Sequence, residues 1–134
     1  MKASKLIYYL DDDTDDLYFF KDVAESLGHT VQIFINGSVM LQALERKNPL
    51  PDIIFLDIHM PVFNGEEILN VLKKDPNWKQ IPVVMISGAY PKKLVRNYLE
   101  AGANYLMKKP TASEWRTSLA KVLEIDWATF QAYA

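Results

Sequence analysis

Short apolar segments recur at regular intervals along the chain, separated by longer segments of mixed character. The apolar segments are rich in β-branched and aromatic residues and lie at positions 6–10, 31–35, 53–56, 83–86 and, more weakly, 105–107. They show no alternation of apolar and polar residues, which is typical of strands covered on both faces of a parallel sheet. The pattern therefore predicts five buried strands.

Amphipathic segments with helical period follow each predicted strand. In the first, the residues on one face are Leu17, Phe20, Val23, Ala24 and Leu27. Gly28 then supplies a C-terminal stop signal. The others lie at 39–44, 66–72, 94–99 and 115–125. Five consecutive βα units predict an α/β fold, a doubly wound five-stranded parallel sheet with helices on both faces.

Polar side chains lie at the carboxyl ends of four of the predicted strands. Asp11 and Asp12 follow the first, Asp57 ends the third, Ser87 ends the fourth and Lys109 follows the fifth. The carboxyl ends of parallel strands share one edge of the sheet, where open α/β sheets bind their ligands. We therefore expect these side chains to converge there.

The net charge of −2 conceals an uneven distribution of acidic residues. Five of the 17 acidic residues, with no basic residue among them, are Asp11, Asp12, Asp13, Asp15 and Asp16. The rest of the chain carries 12 acidic and 15 basic residues, so no nucleic-acid-binding surface is predicted. We expect Asp13 or Thr14 to cap the first helix, with Asp15 and Asp16 complementing its dipole.

This division leaves Asp11 and Asp12 beside Asp57 for a metal site. Carboxylates crowded together stay ionised only with a positive charge among them, and Mg²⁺ accepts one or two carboxylates plus waters. Lys109 adds a fixed positive charge. These groups suit phosphoryl transfer, with Asp57 as the nucleophile that forms an acyl phosphate.

Composition and length exclude several classes of protein. The chain has no cysteine, which excludes a disulfide scaffold, a cysteine nucleophile and thiolate zinc sites. Its two histidines cannot form a histidine cluster. The apolar segment 6–10 is too short for a signal peptide or a membrane span. At 134 residues we expect one domain. Without a signal or membrane segment, we expect a cytoplasmic protein that has no membrane partner.

The polar landmarks carry a resemblance to a known family. They are Asp11-Asp12-Asp13, the segment 57–65 (DIHMPVFNG), Ser87-Gly88-Ala89, Gly102-Ala103 and Lys109-Pro110. The chain resembles the receiver domain of two-component response regulators, a CheY-like domain with the flavodoxin-like (βα)5 fold. The resemblance implies a receiver domain over 1–126, with 127–134 extending the last helix or forming a tail.

The resemblance also implies the role of each site residue. Asp57 would accept the phosphoryl group from a histidine of a sensor kinase or phosphotransfer protein. Asp12 would ligate Mg²⁺ directly, Asp11 mainly through water, and His59 through its main-chain carbonyl. No proton-transfer role is expected for the His59 imidazole.

Two more groups would contact the phosphoryl oxygens. The resemblance implies that Ser87 donates its hydroxyl to one and that Lys109 pairs with another. It also implies a cis Lys109–Pro110 bond that aims the lysine inward. The position of Pro110 favours Lys109 over Lys108 for this role.

One position departs from the family's pattern. Leu106 stands where receivers usually carry an aromatic residue that moves with the serine or threonine, here Ser87. Tyr105 lies one place earlier and should face the opposite side of the sheet, so it does not substitute. The tail, with Trp127, Phe130 and Tyr133, is expected either to pack on the domain or to contact a partner.

We therefore expect a stand-alone receiver that is not a dedicated enzyme. It would signal by protein contact or phosphorelay and could form a homodimer. One alternative is a degenerate receiver that binds partners without phosphorylation. Another is an aspartyl phosphohydrolase, which needs a second carboxylate two residues after the nucleophile. That position is His59, which disfavours this alternative.

Overall fold

The computed structural model describes residues 4–46, 49–58, 64–88 and 92–130. The elements in these ranges are β1 (Leu6–Leu10), α1 (Thr14–Ser26), β2 (Thr30–Phe34), α2 (Gly37–Glu45), β3 (Ile53–Asp57), α3 (Gly65–Lys74), β4 (Val83–Ser87), α4 (Lys92–Glu100), β5 (Tyr105–Lys108), a 3₁₀ turn (Ala112–Glu114) and α5 (Trp115–Leu123). None of the helices in these ranges has the length and apolar character needed to span a bilayer.

The βα alternation predicts one parallel sheet, and the structure shows it, with the strands in the order β2-β1-β3-β4-β5. The chain passes from β1 outward to β2 and then to β3 on the other side of β1. The order of strands therefore reverses between β1 and β3. In such sheets this crevice, beyond the carboxyl ends of the strands, is the ligand-binding position.

Alternate strand residues divide between two apolar layers, one on each face of the sheet. Tyr8 and Leu10 of β1 pack in the layer that α2, α3 and α4 cover. Ile7 and Tyr9 pack in the layer that α1 and α5 cover. With helices burying both faces, the strands need no polar face, which explains their continuous apolar character.

Three observed strands extend past their apolar segments at the carboxyl end, as expected for Asp57 and Ser87. β3 includes Asp57, β4 includes Ser87 and β5 includes Lys108, each one residue beyond the apolar segment. The backbone ladder continues past the last apolar residue because its hydrogen bonds do not depend on side-chain polarity. The polar site residues therefore have the geometry of the sheet.

The end of the chain departs from an extended last helix. α5 ends at Leu123, and the backbone N–H groups of Thr129 and Phe130 donate to the carbonyl of Asp126 in a turn. Trp127 and Phe130 pack edge to face, with ring centroids 5.4 Å apart, and both contact the ring of Tyr105. The described part of the tail thus packs on the domain without continuing the helix, whereas Tyr133 lies outside the described residues.

Candidate functional site

The first two acidic residues follow β1 directly. The Asp11 N–H donates to the carbonyl of Phe34, which keeps Asp11 in line with the sheet, and its side chain is fully buried. Asp12 is exposed. Asp13 caps α1, its carboxylate accepting hydrogen bonds from the N–H groups of Asp15 and Asp16, as expected.

Asp57 is the last residue of β3 and is 4% exposed. The start of α3 packs closely against it, because a Cβ at Gly65 would collide with the Asp57 carbonyl oxygen. Asn64 and Glu67 form a capping box: Asn64 Oδ1 accepts from the Glu67 N–H at 2.9 Å, and Glu67 Oε1 from the Asn64 N–H at 3.2 Å. The Asn-Gly pair of the 57–65 motif therefore fixes α3 at the site.

Three carboxylates meet in the crevice between β1 and β3. Asp11, Asp12 and Asp57 each offer an oxygen within 4.8 Å of the other two. An all-oxygen donor set with two buried carboxylates suits a hard divalent cation such as Mg²⁺. The residues present therefore fit the expected cation, and His59, the further expected ligand, lies outside the described residues.

Lys109 reaches this cluster from the residue after β5. Its N–H donates to the Ser87 carbonyl at 2.8 Å, and its Nζ lies 3.3 Å from Asp11 Oδ2 and 2.7 Å from Asp16 Oδ2. Burial alone would lower the pKa of Lys109, but the hydrogen bond to Asp16 and the charges of Asp11, Asp57 and Asp16 outweigh it and raise the pKa. Lys109 is thus a permanent cation in the cluster.

The neighbouring residues settle the direction of the lysine. Lys108 is exposed, whereas Lys109 faces the carboxylates. The expected cis bond is wrong, since no peptide bond among the described residues is cis and Lys109–Pro110 is therefore trans. The trans form is the more stable one for a bond preceding proline, and the long lysine side chain reaches the carboxylates from it.

Ser87 is the last residue of β4 and is fully buried. Its register neighbour on β5 is Lys108, and Ile86 pairs with Asp57 on β3. The strand register therefore places Ser87 one residue beyond the level of Asp57 at the same edge of the sheet.

The structure adds two residues to the site that the sequence did not predict there. Tyr9, expected in the core, is fully buried, and its hydroxyl donates to Asp11 Oδ2 at 2.5 Å. Burial, the charge of Asp11 and this hydrogen bond raise the pKa of Tyr9, so the phenol remains a donor. Asp16, expected only to complement the helix dipole, pairs with Lys109.

The sequence carries a weak signal for both contacts. Tyr9 lies two residues before Asp11 in an extended segment, so the two share a side of the strand. Asp16 lies four residues before the buried Phe20 and so shares the inward face of α1.

A sequence profile of the response regulator receiver domain matches residues 7–120. The chain belongs to this family. The matched range contains every expected site residue, and the order of its strands and helices agrees with solved receivers. The fold class expected from the sequence is confirmed.

The relatives of this receiver include longer proteins. It is 25% identical over 116 residues to the sensor histidine kinase CheAY of Helicobacter pylori, covering 87% of this chain and 14% of that protein. It is 31% identical over 111 residues to the response regulator protein TodT of Pseudomonas putida, covering 83% of this chain and 47% of that protein. The receiver thus spans half or less of the length of these relatives.

A solved structure shows the same fold over nearly the whole receiver. It is the Mn²⁺-bound form of response regulator Rcp1, with a TM-score of 0.78 and 23% identity over 97% of this chain and 99% of that one. The relatives place the receiver in two-component signalling.

Leu106 and its neighbour Tyr105 face opposite sides of the sheet. Leu106 is 1% exposed and packs in the layer formed with α2, α3 and α4. Tyr105 packs in the opposite layer, as strand alternation predicts. Tyr105 therefore cannot take the place of the usual aromatic without reversing the strand.

Proposed function

We propose that this receiver accepts a phosphoryl group on Asp57 from a phosphohistidine of a sensor histidine kinase or a histidine phosphotransfer protein. A carboxylate oxygen of Asp57 forms a bond to phosphorus while the bond from phosphorus to the histidine nitrogen breaks. The nitrogen keeps the electron pair and takes up a proton, and the product is an acyl phosphate. The observation that carries the proposal is the buried Asp57 carboxylate within 4.8 Å of two others beside a paired lysine.

Asp11, Asp12 and Asp57 would hold Mg²⁺, with the His59 carbonyl as a further ligand. When bound, the cation neutralises charge on the phosphoryl oxygens. The Mn²⁺ in the structure of Rcp1 supports a divalent cation in this fold. Asp11 contributes a fixed orientation, because Tyr9 and the Asp13 N–H both donate to its carboxylate.

Ser87 and Lys109 would contact the phosphoryl group. The Ser87 hydroxyl would donate to one phosphoryl oxygen, and the Lys109 ammonium would pair with another. The burial of Ser87 and the position of Lys109 among the carboxylates support these roles. Neither group needs to exchange a proton, since positioning and charge supply most of the catalysis in phosphoryl transfer.

The receiver would then act by changing its surface. We propose a signalling module in the cytoplasm, not a dedicated enzyme, that passes its state on by protein contact or phosphorelay. An aspartyl phosphohydrolase needs a second carboxylate two residues after the nucleophile as its acid or base, and the sequence has His59 at that position.

Labelling by a small phosphodonor tests the proposal. Acetyl phosphate with Mg²⁺ should add one phosphoryl group to the wild type, detected by intact mass, and chelation of Mg²⁺ should prevent it. Asp57→Asn should remove the label. Asp22→Asn, an exposed change on α1, should not alter it. Equal labelling of Asp57→Asn would refute the phosphoacceptor, and an unlabelled wild type that still binds its partner would favour the degenerate receiver.

A further inference from the structure

The ammonium of Lys109 lies closer to Asp16, at the start of α1, than to Asp11 of the carboxylate cluster. Its Nζ lies 2.7 Å from Asp16 Oδ2 and 3.3 Å from Asp11 Oδ2. The Lys109 and Asp16 side chains are 26% and 25% exposed, so solvent screens the pair only in part. The ammonium therefore has a resting partner at the start of α1.

The position of Asp16 on α1 makes this contact specific. Asp15 lies in the same helical turn but is exposed. Asp16 is half-buried and lies four residues before the fully buried Phe20, which puts it on the side of α1 that meets the sheet. A charge needed only to complement the helix dipole could occupy either position equally well.

A phosphoryl group on Asp57 would compete with Asp16 for the lysine. An acyl phosphate brings close to two negative charges where the Asp57 carboxylate has one. The lysine ammonium is a compact charge on a flexible stem, so it can move toward the stronger anion. Asp57 and Asp16 belong to different elements, β3 and α1, so we expect an ammonium drawn to the phosphoryl group to move away from Asp16.

We propose that Asp16 is a positioning residue for Lys109, holding the ammonium in a resting position from which a phosphoryl group on Asp57 takes it over. The inference rests on the proposed phosphorylation of Asp57. The takeover leaves the Asp16 carboxylate without its ammonium partner in the first turn of α1. Phosphorylation would thereby change the charge pairing at the start of α1, and this change needs no aromatic residue at position 106.

The binding of beryllofluoride, a mimic of the phosphoryl group, tests the competition. At saturating Mg²⁺, Asp16→Asn should bind beryllofluoride about threefold more tightly than the wild type, as expected for loss of one partly exposed ion pair. Asp15→Asn removes the same charge from the same turn and should stay within about twofold of the wild type. Equal affinities for the two variants, or weaker binding by Asp16→Asn, would overturn the proposal.

A second measurement examines the resting pair without any phosphoryl mimic. Thermal melting without Mg²⁺ is compared for Asp16→Asn, Lys109→Met and the double variant. The shift of the double variant should be smaller than the sum of the single shifts, because the pair is lost only once. Additive shifts would overturn the resting pair.

The two measurements also separate this inference from the proposed function. A wild type that neither binds beryllofluoride nor takes a label from acetyl phosphate refutes the phosphorylation of Asp57 and the takeover with it. Normal labelling of the wild type with additive melting shifts refutes the role of Asp16 alone.

Discussion

Asp11 is a fully buried carboxylate that the chain itself supplies with hydrogen-bond donors. Its Oδ1 accepts from the Asp13 N–H at 3.0 Å, and its Oδ2 accepts from the Tyr9 hydroxyl at 2.5 Å and the Lys109 ammonium at 3.3 Å. A buried carboxylate without partners would be strongly destabilising. These donors therefore make the burial of Asp11 tolerable and fix the direction of its oxygens.

The Tyr9 hydroxyl is the donor that a conservative substitution can remove. Tyr9→Phe keeps the ring that stacks on Phe20 at 4.2 Å and deletes the hydrogen bond to Asp11. We expect the free energy of unfolding in Mg²⁺-free buffer to fall by about 1–3 kcal/mol, since a buried charged acceptor loses a partner. Urea denaturation measures this loss.

Tyr8→Phe is the matched control for this prediction. Tyr8 is the preceding residue of β1, and its ring packs in the opposite layer, against Phe34. Its substitution leaves the donors to Asp11 intact and should cost less than Tyr9→Phe. An equal or larger loss for Tyr8→Phe would show that the contact with Asp11 contributes little.

At the scale of elements, the first residue of α3 packs tightly against the end of β3. The capping box of Asn64 and Glu67 starts α3, and Gly65 lets the helix approach the Asp57 carbonyl. Any side chain at Gly65 would push α3 away from the end of β3 or displace the Asp57 backbone. The position of Asp57 is therefore coupled to the packing of α3.

Gly65→Ala tests this constraint. The added methyl has no room beside the Asp57 backbone, so we expect the free energy of unfolding to fall by about 1–3 kcal/mol in chemical denaturation. Gly88→Ala is the control, because a Cβ there meets no atom within 4 Å and Gly88 does not have a positive φ. That change should be neutral or slightly stabilising. A loss at Gly88 as large as that at Gly65 would contradict the argument.

The apolar periodicity was sufficient to predict the elements but not all of their ends. Five strands and five helices follow from the spacing of apolar residues, which is visible locally along the sequence. The end of α5 at Leu123 is different, because the turn at Asp126 and the packing of Trp127 and Phe130 on Tyr105 decide it. Contacts between residues more than 20 positions apart leave no periodic signal.

Contacts between residues distant in sequence also limit what can be predicted of the site. The convergence of Asp11, Asp12 and Asp57 follows from the common edge of a parallel sheet, and the structure shows it. The contact of Asp16 with Lys109 joins residues 93 positions apart and depends on the rotation of α1 about its axis. The sequence places Asp16 in the first helical turn but does not fix which group it meets.

At the scale of the whole molecule, the two faces of the sheet are connected to the site in different ways. The face with α1 and α5 carries Tyr9, and α1 itself carries Asp16, so both contact the charged cluster. The face with α2, α3 and α4 carries the buried Leu106. Lys109 therefore links the charged cluster to α1 by direct polar contacts. The proposed transfer of Lys109 from Asp16 to a phosphoryl group on Asp57 would act through these contacts.

The charge balance of the cluster predicts how the whole domain responds to Mg²⁺. Three carboxylates with oxygens within 4.8 Å repel one another, and a bound cation removes that repulsion in the folded state alone. At Mg²⁺ ten times its Kd the stabilisation is about 1.4 kcal/mol, or roughly 5 °C in Tm for a domain of this size. Differential scanning calorimetry at increasing Mg²⁺ measures the shift.

Asp12→Asn separates metal binding from general salt effects. Removing one carboxylate of the cluster should raise Tm without Mg²⁺, because repulsion falls, and should reduce the Mg²⁺-dependent shift, because a ligand is lost. Asp22→Asn, on an exposed part of α1, should keep the full shift. If Mg²⁺ shifts Asp12→Asn and the wild type equally, Asp12 is not a metal ligand. If Mg²⁺ at millimolar concentration leaves the wild-type Tm unchanged, the three carboxylates do not form a cation site.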